Sequence, residues 1–232
     1  MGKKLKLSDF GVADYPEILD LQKKLFSNLI EEKRTYGKGI SEFLLIGEHT
    51  PVITLGRKAH EENIIVNKDF LSSLHINVFK IQRGGDVTFH NPGQLIAYPI
   101  IDLEKHHLGV KDFVNLLEET IISLLDKYSI KGEKIEGATG VWIGKGTKDE
   151  RKICAIGIKC TRFCTMHGLA LNVRNDLQGF SLINPCGFID KGVTSMEQEI
   201  GYPPDMEKVK KEFSDIFFSL IFPLKKVFHF SE

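Results

Sequence analysis

Neither sign of charge dominates this chain: 31 basic residues balance 31 acidic ones, and there is no long single-sign tail. That balance argues against nucleic acid as the main partner. No apolar run approaches the roughly 20 residues needed to span a bilayer, so no membrane is expected as a partner. The opening Met-Gly-Lys-Lys-Leu-Lys lacks the apolar core of a secretory signal, which makes a cytoplasmic location the expectation. Cysteine is scarce. Cys154, Cys160, Cys164 and Cys186 suit free thiols in a reducing compartment better than a disulfide framework. Missing too are a Gly-x-Ser-x-Gly elbow, a Walker-type phosphate loop and a strand–GxGxxG–helix unit. Nothing therefore announces a serine hydrolase, the use of ATP or a dinucleotide cofactor.

What is present is an ordinary globular composition, 42% hydrophobic and 27% charged. Residues 14–36 carry Tyr15, Ile18, Leu21, Leu25, Phe26 and Leu29 at helical spacing, and 110–128 carry Val110, Phe113, Leu117, Ile121, Leu124 and Tyr128 likewise. A further helix is predicted over 205–222. Strands are predicted at 43–46, 52–55, 77–82, 94–102, 137–143, 152–158 and 168–173. Strands crowd the middle and helices fall at intervals, which predicts an α+β fold with a mixed, largely antiparallel sheet flanked by helices. No repeat or linker divides the chain, so residues 1–232 are expected to form one domain.

The densest local pattern is Arg83-Gly-Gly-Asp-Val-Thr-Phe-His-Asn-Pro-Gly-Gln94. Gly84 and Gly85 allow close backbone approach or positive φ, and Pro92-Gly93 suits a tight turn. A hairpin needs only about two to five loop residues, so this longer polar loop reads as a site.

Cys186, in Asn184-Pro-Cys-Gly-Phe188, sits in a turn, where a thiol can be presented at a pocket mouth and act as a nucleophile once a neighbour helps it ionise. Lys152 and Lys159 bracket one strand, and period-two alternation points them to opposite faces unless a bulge intervenes. One of them can serve a site there; parity does not say which. Cys160, Cys164 and His167 resemble metal ligands, but on one extended strand the two cysteines would stand about 13 Å apart, too far for a shared zinc. No metal is expected.

Together these segments resemble the lipoyl(octanoyl) transferase family, also called lipoate–protein ligase B. The family pattern Arg-Gly-Gly-x-x-Thr-x-His-Gly-Pro-Gly-Gln corresponds to Arg83–Gln94, and Glu-His-x-Pro-x-x-Thr-Leu-Gly-Arg to Glu48–Arg57. Lys152 through Ala155-Ile156-Gly157 to Met166-His-Gly-Leu-Ala-Leu-Asn172, and Pro185-Cys186-Gly187, are similar as well; the resemblance is strongest over 43–198. Asn91 departs from it, standing where the family usually has glycine, in a turn whose left-handed geometry asparagine tolerates.

The resemblance implies a fold shared with biotin and lipoate ligases, with a smaller second sheet. It implies that Cys186 carries an acyl thioester and that Lys152, rather than Lys159, accepts and returns protons. Substrate contacts carry over to Arg83, Gly84, Gly85, Asp86, Val87, Thr88, Phe89 and His90, to Ala155, Ile156 and Gly157, and to Gly168, Leu169 and Ala170. The implied donor is octanoyl-acyl carrier protein. The implied acceptors are lipoyl domains of 2-oxoacid dehydrogenase complexes and the glycine cleavage H protein, with no cofactor.

Overall fold

The computed structural model describes residues 5–184 and 192–222. In chain order the strands are β1 (Lys6–Ala13), β2 (Phe43–His49), β3 (Val52–Leu55), β4 (Asn77–Lys80), β5 (Val87–His90), β6 (Gln94–Ile100), β7 (Glu133–Ile135), β8 (Ala138–Ile143), β9 (Arg151–Thr161), β10 (Cys164–Asn172) and β11 (Gly192–Val193). The helices are α1 (Tyr15–Tyr36), α2 (Lys68–Ser73), α3 (Val110–Asp126), α4 (Met196–Ile200) and α5 (Met206–Ile221). The large sheet runs β1-β2-β6-β10-β9-β8-β7, with β11 also on β9, and the small one runs β4-β3-β5. In the large sheet β1–β2 and β9–β11 are parallel and the other pairs antiparallel. This is the predicted α+β arrangement, with a mixed, largely antiparallel sheet and a smaller second one. Among the described residues no helix is long and apolar enough to cross a membrane.

Why the layers form follows from the side chains. β6 and β10 are buried along their whole lengths because both faces of the sheet are covered. On one face Leu44, Ile46, Leu95, Ala97, Leu169 and Leu171 meet Phe113, Leu117 and Ile121 of α3 and Phe213 and Phe217 of α5. On the other, Leu45, Ile96, Tyr98 and Ala170 meet Ile18, Phe26 and Leu29 of α1. Pro16 starts α1 where a missing N–H costs nothing, and Gly37 ends it in the left-handed conformation.

Two expectations change. Residues 87–90, inside the predicted loop, form β5, and residues 6–13 add a strand beside β2. The stretch read as one extended strand through Cys160 and Cys164 is a hairpin: Arg162 and Phe163 both take positive φ, 52° and 62°, and turn β9 into β10. Cys160 and Cys164 therefore stand on neighbouring strands, so the single-strand separation does not apply. Among the described residues, no group of three His, Cys, Asp or Glu side chains is arranged to hold a metal ion.

Candidate active site

A cavity of about 720 Å³ opens between the small sheet and the β9–β10 hairpin. Its first wall is the 83–88 loop, laced to the segment after β3 by backbone bonds: Gly56 N–H donates to Asp86 O, Arg57 N–H to Arg83 O and Lys58 N–H to Gly85 O. The two sequence patterns at 48–57 and 83–94 thus recur together because their backbones pack together. Arg83 is held by Thr54, whose carbonyl and hydroxyl accept from Nη2 at 2.8 and 3.0 Å. Both oxygens of Asp86 accept from the Asn63 amide at 2.8 and 2.9 Å.

The second wall is built of small residues facing one another, Ala155 against Ala170 and Gly157 against Gly168. Gly84 N–H donates to Ile158 O at 2.9 Å and is committed there, and a Cβ on Gly157 would lie 2.6 Å from Gly84 O. Glycine at 157 is what lets the loop rest on the sheet. Gly157→Ala is expected to lower stability by about 1–3 kcal/mol as the loop is pushed off β9. Gly192→Ala, where among the described residues the added Cβ would meet only Arg151 Cβ at 3.6 Å, should stay within about 0.5 kcal/mol. Urea unfolding midpoints compare the two, and equal shifts would contradict the packing argument.

Of the sequence-predicted residues, Arg83, Gly84, Gly85, Asp86, Val87, Thr88, His90, Ala155, Ile156, Gly157, Gly168, Leu169 and Ala170 line this cavity, as does Lys152. Phe89 does not. Strand alternation turns it into the core of the small sheet, against Ile53 and Phe180. Lys159 is also elsewhere, donating to Gln82 Oε1 at 2.8 Å. The parity argument for the two lysines is void, because β9 bulges between Lys152 and Cys154.

Cys186 lies outside the described residues, but both flanks of its segment are anchored at this cavity. Asn184 N–H donates to Asn63 O at 2.7 Å, and Asn63 holds Asp86. Beyond the segment, Val193 pairs with Lys152, and Thr194 N–H donates to Lys152 O at 3.0 Å.

Beneath the 83–88 loop lies a buried polar cluster that hydropathy conceals. His49 must donate from Nδ1 to the Ala13 carbonyl, leaving Nε2 to accept from the Tyr98 hydroxyl at 3.0 Å. His90 Nδ1 meets Gln94 Oε1 at 2.7 Å, and the Gln94 amide donates to Asn172 Oδ1 at 2.8 Å. Burial pushes His49 down to about 4, and His90 and His167 down to about 3, so all three are neutral near pH 7. Tyr15 and Tyr98 complete this end, their hydroxyls pushed up by burial. Tyr15 was visible in the sequence only as one member of a helical stripe.

Asn91 sits outside the left-handed region; Gly93 holds the positive φ of the turn, at 89°. The Asn91 side chain donates to Asp176 O at 2.8 Å and accepts from Asn175 at 3.1 Å. Here the departure from glycine gains two hydrogen bonds.

The sequence model of the lipoyl protein ligase A/B catalytic domain matches residues 14–218. An octanoyltransferase of Parabacteroides distasonis is 46% identical over 213 residues, covering 91% of this chain and 96% of its own. An octanoyltransferase of Bacteroides thetaiotaomicron is 46% identical over 208 residues, covering 90% and 91%. A solved bi-partite lipoate protein ligase from Thermoplasma acidophilum, 16% identical, has the same fold at a TM-score of 0.68 over 95% of this chain and 84% of that one. With so much of its length matched, the chain is an enzyme of the transferase class and belongs to the lipoyl protein ligase A/B catalytic domain family.

Proposed function

We propose that residues 1–232 form one cytoplasmic catalytic domain that moves an octanoyl group from octanoyl-acyl carrier protein to a lysine of lipoyl domains. Those of 2-oxoacid dehydrogenase complexes and of the glycine cleavage H protein are the proposed acceptors. The observation that carries this reading is the convergence of Lys152, the 83–88 loop and both flanks of the Cys186 segment on one cavity.

In the first step Cys186, its proton taken by Lys152, attacks the carbonyl of the donor thioester. The C–S bond to the carrier breaks, and Lys152 gives its proton to the departing carrier thiolate. In the second step the acceptor lysine amine attacks the octanoyl-enzyme. Its proton passes to Lys152, the amide forms and Cys186 leaves as thiolate. Exchanging one thioester for another is close to thermoneutral and amide formation is downhill, so the pair runs without ATP. Acyl contacts are assigned to the small-residue wall of Ala155, Gly157, Gly168 and Ala170, with the 83–88 loop opposite.

The test is an ATP-free assay with octanoyl-acyl carrier protein and an apo lipoyl domain, read by intact mass. The acceptor should gain one octanoyl group, and the enzyme alone should gain one that hydroxylamine removes. Acceptor modification only with free octanoate and ATP would instead identify a ligase.

A further inference from the structure

The β8–β9 pairing slips beside Lys152. Val141 faces Cys154 but Trp142 faces Lys152, so Ile153 is an extra residue on β9, and a bulge of this kind re-aims the side chains next to it. Residues directly opposite in an antiparallel pair project on the same face. Lys152 accordingly lies across the indole of Trp142, with Nζ 4.5 Å from the ring centroid. The indole is 2% exposed and is fixed by its Nε1–H, which donates to Ala138 O at 2.8 Å.

Gly140 leaves room for this arrangement. Its φ is +121°, and a Cβ there would stand 2.4 Å from Cys154 O and 3.6 Å from Lys152 Cε. The Lys152 amine also donates to Thr139 O at 3.3 Å. A ring face and a carbonyl oxygen both attract a cation, and neither can take a proton from it.

We propose that Trp142 is a positioning residue for Lys152: its ring face holds the lysine at the cavity as an ammonium before substrate arrives. This rests on the transfer reading above and extends it. The base step precedes binding, so the resting pair is Cys186 thiolate and Lys152 ammonium, and the proton needed by the departing carrier thiolate is already in place. After the first transfer the neutral Lys152 amine receives the proton of the attacking acceptor lysine, which restores the ammonium.

Other charges near Lys152 bear on the test. From α3, Glu118 accepts from Gly140 N–H at 3.0 Å. On β9, burial holds Cys154 as a thiol, and Arg151 is paired with Glu199 of α4 at 2.6 Å. Among the described residues named here, Glu118 is the one whose charge also favours a cation.

The experiment measures the pH dependence of enzyme acylation by an octanoyl thioester for wild type, Trp142→Tyr, Trp142→Phe, Trp142→Leu and Glu118→Gln, with folding followed by circular dichroism. A weaker ring face favours the neutral amine, so the alkaline limb should move to lower pH in the order Tyr, Phe, Leu. The leucine variant should lose on the order of tenfold in acylation rate at pH 8. Should that variant fail to fold, the tyrosine and phenylalanine variants decide. Rates that fall with an unmoved limb would assign Trp142 a packing role only. A limb moved by Glu118→Gln and not by the ring variants would give the role to the carboxylate. Cys186→Ala run alongside tests the transfer reading separately, because an octanoyl adduct persisting there counts against the thioester and not against the ring.

Discussion

Cys186→Ala is expected to abolish the octanoyl-enzyme and to lower transfer on the order of a thousandfold or more, because none of the three thiols among the described residues can replace it. Cys154 is buried in the core and its pKa is raised by desolvation. Cys164 is also buried, and burial pushes it up to about 12. Cys160 is raised by its partial burial and does not line the cavity. Lys152→Ala should cost about 10²- to 10⁴-fold, the range for a lost proton carrier, while leaving the thiol able to react slowly. Lys159→Ala is the control. Its amine contacts Gln82 and lies 5.5 Å from the Phe26 ring, away from the cavity, so its rate should stay within about twofold of wild type. Single-turnover transfer with intact-mass detection separates the cases. A larger loss from Lys159→Ala than from Lys152→Ala would show that the wrong lysine has been assigned.

How far the sequence alone reaches depends on the kind of signal. α1, α3 and α5 are legible because each repeats apolar residues at helical spacing over four or more turns, as with Tyr15, Ile18, Phe26 and Leu29. β5 is hidden because Val87–His90 is four residues long and framed by glycine, aspartate and asparagine, which read as loop. The β9–β10 turn is hidden because Arg162-Phe163 carries none of the glycine or asparagine that usually marks two positive-φ residues. The loop residues and Lys152 could be named from spacing and resemblance. Trp142 could not, since its place over Lys152 depends on a bulge, and a register slip between two strands leaves no trace in either one. That the histidines are buried escapes for a different reason, although His90 itself could be named as a site residue. Histidine reads as polar, and only the fold reveals that α1, β6 and β10 close over His49, His90 and His167.

Those histidines make the protein acid-labile. In the unfolded chain each titrates near 6.5, whereas in the fold they are held down at about 4, 3 and 3, chiefly by burial. Between these limits the unfolded state binds more protons than the folded one, so stability falls as pH falls. The loss begins near pH 6.5 and continues down to the folded values. Each group contributes a slope of about 1.4 kcal/mol per pH unit, or about 4 kcal/mol per unit for the three together. Against a total stability of about 5–15 kcal/mol, the fold should give way between about pH 5 and pH 4. Glu42 and Glu199, both held low in the fold, steepen the loss below the ordinary carboxylate range, because protonating them weakens their bonds to Lys105 and His106 and to Arg151. His167→Asn tests the histidine share. Asparagine tolerates the left-handed φ of 61° at that position and does not titrate, so about one third of the slope between pH 6.5 and 4.5 should disappear. Urea unfolding at pH 7, 6 and 5 reads it directly, and a midpoint unchanged from pH 7 to pH 5 in wild type would refute the account. In the folded protein the three histidines stay neutral down to about pH 4. Their titration therefore leaves the cavity wall unchanged until the fold is lost, and it should not make the transfer rate decline at a higher pH than the circular dichroism signal.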